Sequence, residues 1–294
     1  MDTFSVVVAG GGVAAIEGLL RLRRLLGDDA KITLLAPNDD FAFRALSVKE
    51  PFAQGAAERH PIRDIARDTG AEWVKDTLAW VDPDGQIAHT GNGQQLAYDA
   101  LLVAVGAKIA PAYEHATTFR DTDADALLSG VVEDIEGGYT RSVAFIAPPG
   151  PVYQLPLYEL ALMTAERADS MGMDVDLTVV TPDDAPLAIF GPTVSDAVSG
   201  LLDKAGITVH ASTIAHIHEP NRVELGPDGG ELQADRIVAL PRIVGPSIRG
   251  LPGSGADGFI PIDAHCAVPG AGGRIFAAGD ATKFPVKHGG LGSE

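Results

Sequence analysis

Three consecutive glycines, Gly10, Gly11 and Gly12, separate a β-branched apolar run, Phe4 to Ala9, from a stretch of apolar residues at helical spacing, Val13 to Leu26. Strand, tight turn and helix in that order make a cradle for a pyrophosphate. Gly10 permits the turn, Gly12 lets the backbone approach the phosphates, and Ala15 replaces a third glycine where helix packs on strand. The N–H groups of Val13, Ala14 and Ala15 and the positive end of the helix dipole then face the ligand. The competing reading is a glycine-rich turn that holds nothing.

One customary part is missing. A dinucleotide site usually carries an acidic side chain after its second strand, roughly 20 residues past the glycines, to accept from the ribose hydroxyls. After Lys31 to Leu35 this chain reads Ala36-Pro37-Asn38-Asp39-Asp40. Asn38 or Asp39 could reach a ribose from the loop, and both equally suit an ordinary turn.

The elements around the turn alternate. Ile62 to Asp68 reads as a helix, and Glu72 to Val81 and Gln86 to His89 as strands joined by Asp82-Pro83-Asp84-Gly85. Phe41 to Val48 and Glu50 to Phe52 form a loop, and Leu96 to Ala107 forms a buried strand that closes a first unit. A second unit follows, with helices over Asp123 to Ile135, Tyr158 to Met171 and Thr193 to Ala205. Its strands run over Ser142 to Ala147, Asp176 to Val180, Gly206 to His210 and Arg236 to Leu240. Such alternation implies parallel sheets and an α/β fold of two Rossmann-like domains. Domain one comprises residues 1–110 and 245–294, and domain two residues 111–244.

The chain has 294 residues, 46% of them hydrophobic, and a net charge of -18. That charge argues against nucleic acid and against an anionic membrane surface, since both select basic patches. No run approaches 18 apolar residues, and no basic stretch precedes the first apolar run, so neither a transmembrane segment nor a signal peptide is expected, and the expected location is cytoplasmic. The single cysteine, Cys266, on an expected strand, excludes an internal disulfide and reads as a small buried hydrophobe. His216 and His218 share a strand face but have no third ligand in view, so no metal site is expected.

Three segments together carry a resemblance: Gly10 to Ala15, the string Tyr98-Asp99 through Ala104-Val105-Gly106-Ala107, and Ala277-Ala278-Gly279-Asp280-Ala281. The arrangement resembles the FAD-dependent pyridine nucleotide-disulfide oxidoreductase superfamily. Phe41 to Leu46, Pro148 to Glu159 and Phe284 to Gly290 look like its sulfide:quinone oxidoreductase branch, with type II NADH dehydrogenases close by. The resemblance implies FAD as cofactor, with Asp280 hydrogen-bonding the ribitol chain beside Gly279, and Leu78, Ala104 and Gly106 also at the flavin site. It places Arg44 and Lys49 in a flavin-side loop, although both could be solvated surface charges. Lys287 would lie near the flavin pyrimidine edge, where a cation stabilises an anionic reduced ring, and its alternative is a surface lysine. Glu159 would take part in proton or charge transfer near the flavin, or else merely complement a helix dipole. His288 is the candidate for proton transfer.

The departures narrow the chemistry. After Ser142 to Ala147 the second unit's turn is rich in proline, with Pro148, Pro149, Pro151 and Pro156, and holds only Gly150. Proline removes the N–H groups that would hold a pyrophosphate, so this nicotinamide-type domain is degenerate. Gln154 stands where the sulfide branch has a redox cysteine, and one thiol cannot supply a cysteine pair. The family's flavin-covering helix and C-terminal domain, which supplies dimer contacts or membrane docking, lie beyond Gly290 and are expected to be missing, with a homodimer kept as an expectation. The resulting expectation is an FAD-dependent oxidoreductase passing electrons from a small-molecule donor to a quinone or small carrier without redox cysteines. A catalytically degenerate nucleotide- or partner-binding module and an NAD(P)H dehydrogenase with an atypical nicotinamide site are the alternatives.

Overall fold

The computed structural model describes residues 3–120, 124–226, 230–253, 257–284 and 287, with backbone alone for 44–46 and 124–127. The chain divides into two compact units. The first comprises residues 1–43, 58–108 and 243–294, and the second residues 44–57 and 109–242.

In chain order the first unit begins with β1 (Phe4–Ala9), α1 (Val13–Leu26), β2 (Ala30–Leu35) and the antiparallel pair β3 (Asp40–Phe43) and β4 (Glu58–Pro61). It continues through α2 (Ile62–Asp68), β5 (Glu72–Val74), β6 (Leu78–Asp82), β7 (Ile87–Thr90), β8 (Gln95–Ala97) and β9 (Ala100–Val103). The chain leaves by β10 (Lys108–Ala110). The second unit contains a 3-10 stretch, Arg44–Phe52, then β11 (Thr117–Thr118), α3 (Ala124–Glu136), β12 (Ser142–Ile146), α4 (Leu155–Ser170), β13 (Asp176–Val180) and α5 (Pro192–Lys204). It ends with β14 (Thr208–His210), β15 (Ile214–Glu219), β16 (Arg222–Gly226), β17 (Gly230–Gln233) and β18 (Arg236–Ala239). The chain returns by β19 (Arg242–Val244) to β20 (Ile275–Ala277).

Both units follow one plan. The first has a parallel sheet in the order β20-β9-β1-β2-β5, the second one in the order β11-β18-β12-β13-β14. Strand alternation explains the layers: Val6 and Val8 turn to a core with Ala15, Ile16 and Leu19 of α1, while Val7 and Ala9 turn to a core with Leu78, Val81 and Ala88 of the antiparallel sheet β6-β7-β8. In the second unit Val143 and Phe145 face Leu157, Leu160 and Ala161 of α4, and Ala144 and Ile146 face Ala215, Val223 and Leu225 of β15-β16-β17.

An aspartate pins each central strand. Asp99 Oδ2 accepts from the Ser5 N–H at 2.8 Å, and Asp235 Oδ2 accepts from the N–H groups of Arg141 at 2.8 Å and Ser142 at 3.1 Å. Each sits just before the strand that pairs with the central one, so one carboxylate satisfies donors that the ladder leaves open.

The structure corrects several sequence boundaries. The expected strand Glu72 to Val81 is two strands in different sheets, because the Asp76 carboxylate accepts from the N–H groups of Thr77 at 2.8 Å and Asn92 at 2.9 Å and turns the chain. Leu96 to Ala107 is likewise broken at Tyr98-Asp99 into β8 and β9. Phe41 to Phe52 is not a loop: β3 opens it, and Val48 and Phe52 of the 3-10 stretch enter the second unit's core. Helix α4 starts at Leu155, three residues early, since Pro156 in a first turn loses no intrahelical bond. Cys266 is neither buried nor on a strand. It is exposed at φ +60 in a turn whose N–H groups at His265 and Ala267 bond to Asp263 Oδ1.

Candidate functional site

Because β1 pairs in parallel with β2 and β9, and β9 with β20, four strands end along one edge of the first unit's sheet. The glycine turn leaves β1 there, Ala36 to Asp39 leave β2, Ala104 to Gly106 leave β9, and Gly279 and Asp280 leave β20. The carboxyl edge, where strand order reverses about β1, is where open α/β sheets bind ligands.

The glycines differ in what they do. Gly10 sits at φ +134, donates to the Leu35 carbonyl at 2.8 Å, and would place a Cβ 2.1 Å from the Ala104 oxygen. It is required by close backbone approach. A Cβ on Gly12 would meet nothing within 4 Å, so the space before this backbone is open. Helix α1 has no side-chain cap from Gly12 and no acidic residue in its own first turn, so its positive dipole end at Val13 and Ala14 carries no counter-charge from the helix itself. Ala15 is fully buried against the sheet, as a stand-in for glycine should be. Sequence reasoning missed Gly18, where a Cβ would lie 2.6 Å from Leu102 Cδ2; here, one turn on, helix and sheet come closest.

Asp280 lies in a 3-10 turn, Gly279–Ala281, that is anchored from several sides. Gly279, at φ +70, abuts the first turn of α1. Its carbonyl accepts from the Thr282 hydroxyl at 2.8 Å and N–H at 3.1 Å, while Ala278 donates to Val103 at 3.1 Å and Ile260 to Ala281 at 2.9 Å. The residues fit a dinucleotide diphosphate: an open backbone cradle, an uncapped helix end, and a fixed carboxylate-bearing turn at the same helix end.

The absent ribose acid has a physical reason. Ala36 is fully buried, and a Cβ on Gly11 would already come within 3.2 Å of its Cβ. Of the loop candidates, Asn38 is exposed, and Asp39 pairs with Lys75 at 2.5 Å. Gly106 follows β9 at φ +74, and Leu78 lies in the core on β6. Lys287 is no surface lysine, being only 3% exposed; its ammonium sits 3.9 Å from the centroid of the Phe259 ring and donates to the Thr282 carbonyl. Burial pushes its pKa down, against the opposing pull of Asp280 and Asp257. His288 lies outside the described residues.

Arg44 and Glu159 belong to the second unit. Glu159, on the first turns of α4, is half-buried; desolvation raises its pKa, and the Lys49 cation opposes that rise. Tyr153 is held high by burial and then by the Glu159 charge. Gln154 carries the start of α4 in an unexpected way. Its Nε2 donates to Asp183 Oδ2 at 2.8 Å, and its Oε1 accepts from Thr181 at 2.9 Å and from Tyr158 at 3.2 Å. The side chain therefore bridges the N-terminus of α4 to the end of β13, across the place where a dinucleotide's pyrophosphate and ribose would lie in a domain of this plan. Burial, chiefly, pushes the Tyr158 hydroxyl up to about 12, so it remains a neutral donor in this network. Among the described residues no cluster of three or more His, Cys, Asp or Glu side chains could hold a metal ion.

The fold is that of an α/β protein with two parallel five-stranded sheets, one in each unit. No protein-family model matches the chain. It is 27% identical over 259 residues to the sulfide-quinone reductase of Aquifex aeolicus (strain VF5), covering 83% of this chain and 59% of that one. The crystal structure of the sulfide:quinone oxidoreductase from Aquifex aeolicus superposes with a TM-score of 0.86 at 24% identity, over 96% of this chain and 70% of that one. NDH2 from Plasmodium falciparum in complex with NADH gives a TM-score of 0.76 at 15% identity, over 96% and 65%. The chain thus spans little more than half the length of the Aquifex reductase.

The chain is similar in sequence and fold to sulfide:quinone oxidoreductases of the pyridine nucleotide-disulfide oxidoreductase superfamily. Members of that superfamily bind FAD, and its homologues here are FAD-dependent oxidoreductase enzymes. Among the described residues no helix is long and apolar enough to cross a membrane.

Proposed function

We propose that the chain is an FAD-dependent oxidoreductase that passes electrons from a small-molecule donor to a quinone or small carrier without redox cysteines. The observation that carries this reading is the contact of Gly279 with Ala14, which brings the Asp280 turn to the open, uncapped end of α1. Gly10 to Ala15 would hold the diphosphate by backbone N–H groups, Asp280 would accept from the polyol chain, and Ala104 and Gly106 would complete the strand-edge wall. FAD, when bound, supplies the two-electron step. The protein binds, orients and excludes water. Cys266, exposed on a turn and alone in the sequence, supports a route that uses no thiol exchange. The Gln154 bridge supports a donor other than a nicotinamide nucleotide.

The test reconstitutes the purified chain with FAD, reduces it chemically without oxygen, and adds a water-soluble quinone. Recovery of the oxidised absorbance band faster than in buffer is expected. A band that stays bleached counts against the quinone, and bleaching of the oxidised protein by NADH counts against the assigned donor class.

A further inference from the structure

The reading just given makes Asp280 the polyol anchor, and what fixes that anchor is a separate question. Lysine is almost never fully buried without a partner, and Lys287 is 3% exposed. Its ammonium does not point at open space above the cradle. It rests on the face of Phe259, 3.9 Å from the centroid, and donates to the carbonyl of Thr282. Thr282 is the residue that closes the Asp280 turn, through its hydroxyl and N–H on Gly279. Phe259 precedes Ile260, whose N–H and carbonyl pair with Ala281 at 2.9 Å and Lys283 at 2.7 Å. Two independent latches therefore meet on one turn: a backbone bridge from Ile260, and a buried cation over Phe259.

Charge agrees with geometry. The acids that support the Lys287 ammonium are Asp280 and Asp257, and Asp257 also faces Lys283 at 3.7 Å. A cation beside Asp280 favours its ionised, acceptor-only form, the one suited to hydroxyl donors.

We propose that Lys287 is a positioning residue: its buried ammonium, seated on Phe259 and bonded to the Thr282 carbonyl, clamps the Gly279–Thr282 turn so that Asp280 is held in place at the head of α1. It acts through that turn and not on the reacting ring. The proposal rests on the FAD reading for its ligand, and its test separates the two.

K287M keeps the stem and removes the charge. In the FAD-free chain, ¹³C NMR of the Asp280 carboxyl is expected to show its titration moving up by about one unit in K287M, the size of one well-placed charge contact. By fluorescence titration, FAD binding should weaken about tenfold. Asp280 titrating alike in both chains overturns the clamp, as does an FAD Kd unchanged within twofold. Wild-type protein that takes up no FAD would defeat the proposed function, while the NMR comparison would still decide the clamp. Should K287M fail to fold, F259L removes only the aromatic seat; the same upward movement of Asp280, at smaller size, is expected, and no movement overturns the proposal.

Discussion

A Cβ placed on Gly279 would come within 2.9 Å of the Ala14 Cβ, so the turn after β20 touches the first turn of α1 with no room for a side chain. Two segments more than 260 residues apart in sequence build one end of one sheet.

G279A is therefore expected to damage the site more than the fold. The new methyl meets Ala14 and is strained at φ +70, which forces the Asp280 turn away from the helix end. FAD affinity should fall at least tenfold, or about 1.4 kcal/mol. Isothermal titration with FAD checks this, and an affinity equal to wild type would show that the contact has no part in binding.

How much of this was legible in the sequence follows from the kind of signal. The strand-turn-helix around Gly10 to Gly12 was readable because its motif is local, and β1, α1 and α2 were read to the residue because their apolar periodicity is clean. Breaks made by a single carboxylate were not readable: nothing in Glu72 to Val81 announces that Asp76 will capture the Asn92 N–H sixteen residues away. The resemblance singled out Lys287, but its burial was not readable, since it depends on Phe259, which is remote in sequence. The Gln154 bridge was hidden for the same reason: the prolines showed what the turn had lost, and only Thr181 and Asp183 show what replaced it.

D235A should cost stability in a pH-dependent way. Backbone hydrogen bonds from Arg141, chiefly, with those of Ser142, hold the Asp235 carboxyl below its ordinary 3.8. A depressed folded pKa gives stability that is present above the unfolded value and is lost as pH falls through the folded one. The loss in D235A should be on the order of 1 kcal/mol near neutral pH, small because the group is partly exposed. Thermal melts across acid and neutral pH should show the wild-type advantage closing below the ordinary carboxylate range. An advantage that persists there would contradict this role.

Glu159 carries the opposite sign. Desolvation raises its folded pKa above the ordinary 4.5, against the Lys49 cation. The protonated form suits the fold, so its contribution is greatest below the unfolded value and is lost as pH rises through the folded one. E159Q should match wild type in acid and melt higher at neutral pH, with the difference growing through the window just above pH 4.5. Parallel melting curves across that window would remove the argument for a desolvated carboxylate.

In the proposed function the first unit binds FAD through the glycine turn and Asp280. Titration of the purified chain with FAD, followed by flavin fluorescence quenching and set beside D280A, measures this binding. Saturable binding of one FAD per chain, weakened at least tenfold in D280A, is the predicted result. No uptake by the wild-type chain, or equal affinity in the two proteins, would contradict it.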